Sequence, residues 1–135
     1  LWTGFGHPAW NDFSGVAEYS TQFNLAESPP AEALLKTDRI FSSGKVRVNG
    51  MPAGYLWSRP LRVEVGKFLK KGLNTLSIEV AGTSVNRIRY LDRHGFKWKI
   101  FKDINIVDLN YEPLDVSDWE TFPSGLGSVT LWSLE

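Results

Sequence analysis

Ala17-Glu18-Tyr19-Ser20-Thr21-Gln22-Phe23-Asn24-Leu25 decides the fold. Read with a period of two, Ala17, Tyr19, Thr21, Phe23 and Leu25 share one face. Glu18, Ser20, Gln22 and Asn24 share the other. That pattern predicts a half-buried strand. The same alternation recurs along the chain. Val46 and Val48 run into Asn49-Gly50, a dipeptide suited to a tight turn because both residues tolerate positive φ. Leu61, Val63 and Val65 alternate with Arg62 and Glu64. Leu76, Ile78 and Val80 alternate with Thr75, Ser77 and Glu79. Trp98 and Ile100 alternate with Lys97 and Lys99, and Val129 with Leu131 closes the chain. Turn-forming clusters separate these runs: Ser28-Pro29-Pro30, Ser42-Ser43-Gly44, Lys70-Lys71-Gly72 and Pro123-Ser124-Gly125. Helix has room only for a turn or two, at residues 31–36 and 67–71. Residues 103–127 read as a long structured loop with a short strand near 104–109. The expected class is all-β, a sandwich or jelly roll.

Composition narrows the function. The 135 residues suffice for one two-layer domain. Fifteen Lys+Arg balance fifteen Asp+Glu, so no net field attracts phosphate backbones or anionic lipid. Neither nucleic acid nor membrane is an expected partner, and no stretch approaches the roughly 18 apolar residues of a spanning helix. With no cysteine, disulfides and thiolate metal sites are excluded. Leu1 without an initiator Met, and a closing Leu134-Glu135 that reads as a tag scar, predict a single domain over 1–135 excised from a larger protein.

Three strings carry a resemblance. They are Phe13-Ser14-Gly15-Val16-Ala17-Glu18-Tyr19-Ser20-Thr21-Gln22-Phe23, then Val46-Arg47-Val48-Asn49-Gly50 followed by Ala53-Gly54 and Trp57, then Leu69-Lys70-Lys71-Gly72-Leu73-Asn74-Thr75-Leu76-Ser77-Ile78-Glu79-Val80. In this order and spacing they resemble the sugar-binding jelly-roll domain of glycoside hydrolase family 2 and its relatives. Val85-Asn86-Arg87-Ile88 and Pro123-Ser124-Gly125-Leu126-Gly127 are similar to the C-terminal galactose-binding-like module of α-L-rhamnosidase-type enzymes of family 106. The resemblance implies a galactose-binding-like β-sandwich attached to a glycosidase whose catalytic domain lies elsewhere. It implies carbohydrate and that catalytic domain as partners, and a periplasmic or secreted location. A fold alone does not decide between binding sugar and packing on the enzyme.

Glycoside hydrolysis needs two carboxyl groups roughly 5–10 Å apart. Glu64, Glu79, Asp103, Asp108, Asp118 and Glu120 are available, but none sits in a catalytic motif. His7 and His94 have no metal-ligand spacing, so no cofactor is expected. A structural calcium stays open, because loop carboxylates and carbonyls suffice for it. The aromatic residues carry the functional signal, with six Trp in so short a chain. A flat ring covers the apolar face of a sugar while Asn, Arg and Asp satisfy its hydroxyls. The candidate carbohydrate-binding residues are Trp57 and Arg59 ahead of the strand at Leu61, Asn86 and Arg87 at the end of another strand, and Trp119 beside the long loop. Each has a structural alternative: Trp57 and Trp119 as core, Arg87 as a loop brace. Trp98 reads as core and Trp10 as an anchor of the N-terminal segment. Three functions follow: an accessory module of a glycoside hydrolase, a hydrolase fragment with its carboxylates in the acidic loop, or a protein-interaction sandwich.

Overall fold

Alternating side chains leave a strand with one apolar face, and two such faces must cover each other. The computed structural model of the chain describes residues 1–99, 109–110 and 112–133, and it shows that arrangement. Strands β1 (Val16–Leu25), β2 (Ala33–Thr37), β3 (Ile40–Phe41), β4 (Ser43–Val48), β5 (Met51–Leu56), β6 (Arg62–Glu64), β7 (Gly72–Ala81), β8 (Gly125–Leu126) and β9 (Val129–Ser133) form antiparallel sheets. One sheet runs β1-β7-β4-β5, the second runs β6-β2-β9, and β3 pairs with β8 at one end. The chain is an all-β sandwich. Its core joins Val46, Val48, Leu76, Ile78 and Val80 of the larger sheet to Ala33, Leu35, Val63 and Leu126 of the smaller ones. Each fully buried aliphatic side chain stabilises the fold by roughly 1.5–3 kcal/mol.

The tight turn falls where the sequence puts it. Asn49 and Gly50 have φ of 51° and 80°, and they join β4 to β5. Asn49 also reaches across the sheet. Its amide donates to the Phe68 carbonyl and to Asn74 Oδ1, each at 2.8 Å, and its Oδ1 accepts from Thr75 N. Asn74 lies on the apolar face of β7 and is completely buried. It accepts from Lys70 N and donates to the carbonyls of Lys70 and Gly72. The burial is tolerable because every polar atom of the amide has a partner.

Three parts depart from the sequence reading. Residues 33–37 are strand β2, not a helical turn, because Ala33, Leu35 and Thr37 face the core in alternation. Residues 66–68 form a single 3-10 turn, in line with expectation. The chain around Asn86-Arg87 is not a strand end but helix α2, Val85–Arg93, preceded by a short helix α1, Pro8–Asn11. Apolar periodicity did not reveal α2 because its inward residues, Asn86 and Arg89, are polar. Residues 97–99 form no strand. Ile100, Asp103, residues 104–108 and Leu134-Glu135 lie outside the described residues, and Leu109 sits in a turn.

Candidate functional site

Strand β5 ends with Leu56 in the core, so the next side chain points the other way. Trp57 is therefore 74% exposed. Ser58 and Arg59 follow it across the end of the sandwich to Leu61. Opposite them stand Asp38 and Arg39, which leave β2, and Ile40, Phe41 and Ser42. The two walls enclose an open hollow of about 440 Å³.

Backbone bonds hold these walls together. Thr37 N donates to the Leu61 carbonyl at 3.1 Å, and Gly127 N to the Arg39 carbonyl at 3.0 Å. Asp38 Oδ1 accepts from Ser128 N at 2.8 Å, while its Oδ2 meets Arg39 Nε at 3.4 Å. Gly127 lets Asp38 sit close, since a Cβ there would stand 2.0 Å from Asp38 Oδ1 and push that side chain aside. Ser42, on the rim, has φ of 91°, a left-handed conformation costing an L-residue about 1–2 kcal/mol. Among the described residues, neither the Trp57 indole N–H nor the Arg59 guanidinium has a hydrogen-bond or ion-pair partner. The hollow therefore presents a bare ring and an unengaged cation side by side.

The other three candidates lie elsewhere. Asn86 is fully buried on α2. Its amide donates to the Phe122 carbonyl at 2.8 Å and to Ser124 Oγ at 3.4 Å, and its Oδ1 accepts from Phe122 N. These bonds make Asn86 a clamp on the loop, with no donor left for a sugar hydroxyl. Arg87 is on the outer side of the helix, 4.9 Å from the centre of the Tyr90 ring. Trp119 is 43% exposed, and its carbonyl accepts from Arg93 at 3.2 Å. None of the three lines the Trp57 hollow.

Helix α2 was the element missed in sequence, and it grips residues 115–124 throughout. Arg89 donates to Thr121 Oγ1 at 2.7 Å and pairs with Asp12 at 3.0 Å. Arg93 reaches the Ser117 carbonyl. Asp92 accepts from Val116 N and from the Trp98 indole, and pairs with Lys99 at 3.1 Å. Trp98 is thus half-buried and hydrogen-bonded rather than part of an apolar strand face.

The candidate carboxyls are scattered over the fold. Glu64 is exposed on β6, and Asp118 and Glu120 are exposed on the loop. Glu79 pairs with Arg47 at 3.3 Å. Asp103 and Asp108 lie outside the described residues. Two carboxyls have displaced titrations, and both move in the wrong direction for a general acid. Burial pushes Asp92 up, but bonds from Val116 N, Trp98 and Lys99 outweigh it, so the group ends below its ordinary value. The Ser117 backbone and hydroxyl hold Asp115 down. No cluster of three or more His, Cys, Asp or Glu that could hold a metal occurs among the described residues.

A second hollow, of about 340 Å³, lies against β1. Trp2, Phe5, Trp10, Phe13 and Tyr19 line it. Phe5 is 61% exposed and packs edge-on against Trp10 at 5.3 Å.

No family model matches the chain. A rhamnosidase from Novosphingobium sp. PP1Y superposes with a TM-score of 0.76 at 30% identity, covering 96% of this chain and 12% of that one. A beta-glucuronidase from Ruminococcus gnavus, in complex with D-glucuronic acid, superposes at 0.52 and 24% identity over 60% of this chain and 15% of that one, a likeness of fold. A protein of Formosa agariphila, provisionally named a beta-glucuronidase, is 28% identical over 95 residues, which is 64% of this chain and 8% of the relative. The chain thus spans a small part of the length of each. It is a β-sandwich domain related to parts of glycoside hydrolases.

Proposed function

We propose that this chain is a non-catalytic accessory module of a glycoside hydrolase of the α-L-rhamnosidase type, and that it meets carbohydrate in the Trp57 hollow. One observation carries the reading: a large ring left bare at the end of the sandwich, beside a guanidinium with no partner among the described residues. Burying an indole on a sugar face removes apolar area from water, and the neighbouring donors fix the sugar's orientation. The low titration of Asp92 and Asp115, opposite to what a general acid needs, supports the non-catalytic part. The parent's location, periplasmic or secreted, is carried over from the family resemblance.

The test has two arms. Incubated with a panel of nitrophenyl glycosides, the chain releases no nitrophenol. On a glycan array it retains at least one saccharide, and Trp57→Ala loses it. Turnover that persists through purification and disappears in Asp118→Asn would overturn the first arm. An array with no retained saccharide would overturn the second.

The aromatic hollow beside β1 favours a second role, packing on the rest of the parent enzyme. Phe5 and Trp10 form a non-polar patch suited to an intramolecular interface. Phe5→Ser with Trp10→Ser would then leave saccharide binding intact and loosen the module within the full-length enzyme, read as faster proteolytic release.

A further inference from the structure

We propose that the Trp57 hollow selects acidic saccharides, with Arg59 reading a sugar carboxylate or sulfate while Trp57 covers the ring face. This rests on the reading of the hollow as a carbohydrate site. It follows from an inventory of donors and acceptors. The ionised groups of the hollow are Asp38, Arg39 and Arg59, two cations against one anion, a formal charge of +1. The single carboxylate accepts from Ser128 N and is ion-paired with Arg39 Nε, so part of its charge and acceptor capacity is already taken. Arg39 meets Asp38 through its Nε, and its side chain is 57% exposed. Among the described residues nothing takes the N–H donors of Arg59 or the indole N–H of Trp57. Only the hydroxyls of Ser42 and Ser58 can act in either sense.

A neutral sugar hydroxyl both donates and accepts, so a site for it needs acceptors as well as donors. This hollow has an excess of donors. A ligand that only accepts, and carries negative charge, matches it better. The guanidinium fork is shaped for the two oxygens of a carboxylate or sulfate. The bias is local, because the chain's net charge is zero and long-range steering does not contribute.

The experiment is calorimetric titration of the 135-residue chain with four probes: trigalacturonate, neutral galactotriose, galactose 6-sulfate and galactose. At least one acidic probe should bind about tenfold tighter than its neutral counterpart, the increment expected of one charge-assisted contact. The advantage should shrink as salt is raised. Arg59→Gln should erase it without lowering the thermal midpoint. Preference for the uronate alone identifies a carboxylate reader, and preference for the sulfate alone a sulfate reader. Equal affinity for acidic and neutral probes overturns this inference and leaves the carbohydrate site standing. No binding of either acidic probe also overturns this inference, while the carbohydrate reading itself falls only with an array that retains no saccharide. A preference that survives Arg59→Gln overturns the role given to Arg59.

Discussion

Helix α2 and the Trp57 hollow use arginine to opposite ends. On α2, Asn86, Arg89 and Asp92 are turned inward and engaged with the loop at 115–124. At the hollow, Trp57 and Arg59 are turned outward and have no partner among the described residues. Asn, Arg and Trp are usual side chains of sugar sites, and sequence reasoning assigned Asn86 and Arg87 of the helix and Trp57 and Arg59 of the hollow to carbohydrate. The difference lies in satisfaction. A polar group whose bonds are filled from within holds the fold, and one left unfilled at a concave surface is available to a ligand.

The comparison breaks most visibly at Arg89. Its side chain is 7% exposed, against 27% for Asp12. Arg89→Met leaves Asp12 and Thr121 without their partner, and should cost about 3 kcal/mol, at the low end for breaking a buried pair because Asp12 is partly solvated. For a chain of this size that lowers the thermal midpoint by about 10 °C. Asn86→Ala should cost about 2 kcal/mol by leaving the Phe122 N–H and carbonyl without partners. Both are read by thermal denaturation. A midpoint unchanged in either would mean that α2 does not hold the loop as described.

Asp92 gives a pH test of the same contrast. Its side chain is 9% exposed, and its pKa lies below the ordinary 3.8. A lowered carboxyl stabilises the fold above its unfolded pKa, and the contribution is lost as pH falls through the folded value. Stability should therefore decline below pH 3.8 in wild type, and less steeply in Asp92→Asn. Parallel acid-denaturation curves would contradict the assignment.

What was legible in the sequence was what period two encodes. Strands β1, β4 and β7 follow from alternation, and the β4–β5 turn from Asn49-Gly50. The outward Trp57 follows too, since it is out of phase with Leu56. The polar inward face of α2 left no apolar signal, so Asn86 was read as a ligand contact instead of a clamp. Asn74 had a weak signal, a polar residue in register with Leu76, Ile78 and Val80. Asp38, Arg39 and Ser42 had none, because only the pairing of distant strands brings them opposite Trp57.

The smallest effect belongs to the hollow. Trp57→Ala should change stability by less than about 0.5 kcal/mol, where truncating a buried Trp would cost about 3–5. A large fall in midpoint would make Trp57 part of the core and end its role as a sugar platform.

The central claim is tested most directly by following the indole N–H signals of the six tryptophans during a saccharide titration. A saccharide retained on the glycan array serves as titrant. The Trp57 signal should shift on binding while those of Trp2 and Trp98 stay in place. A Trp57 signal that stays fixed while another indole tracks the ligand would contradict it.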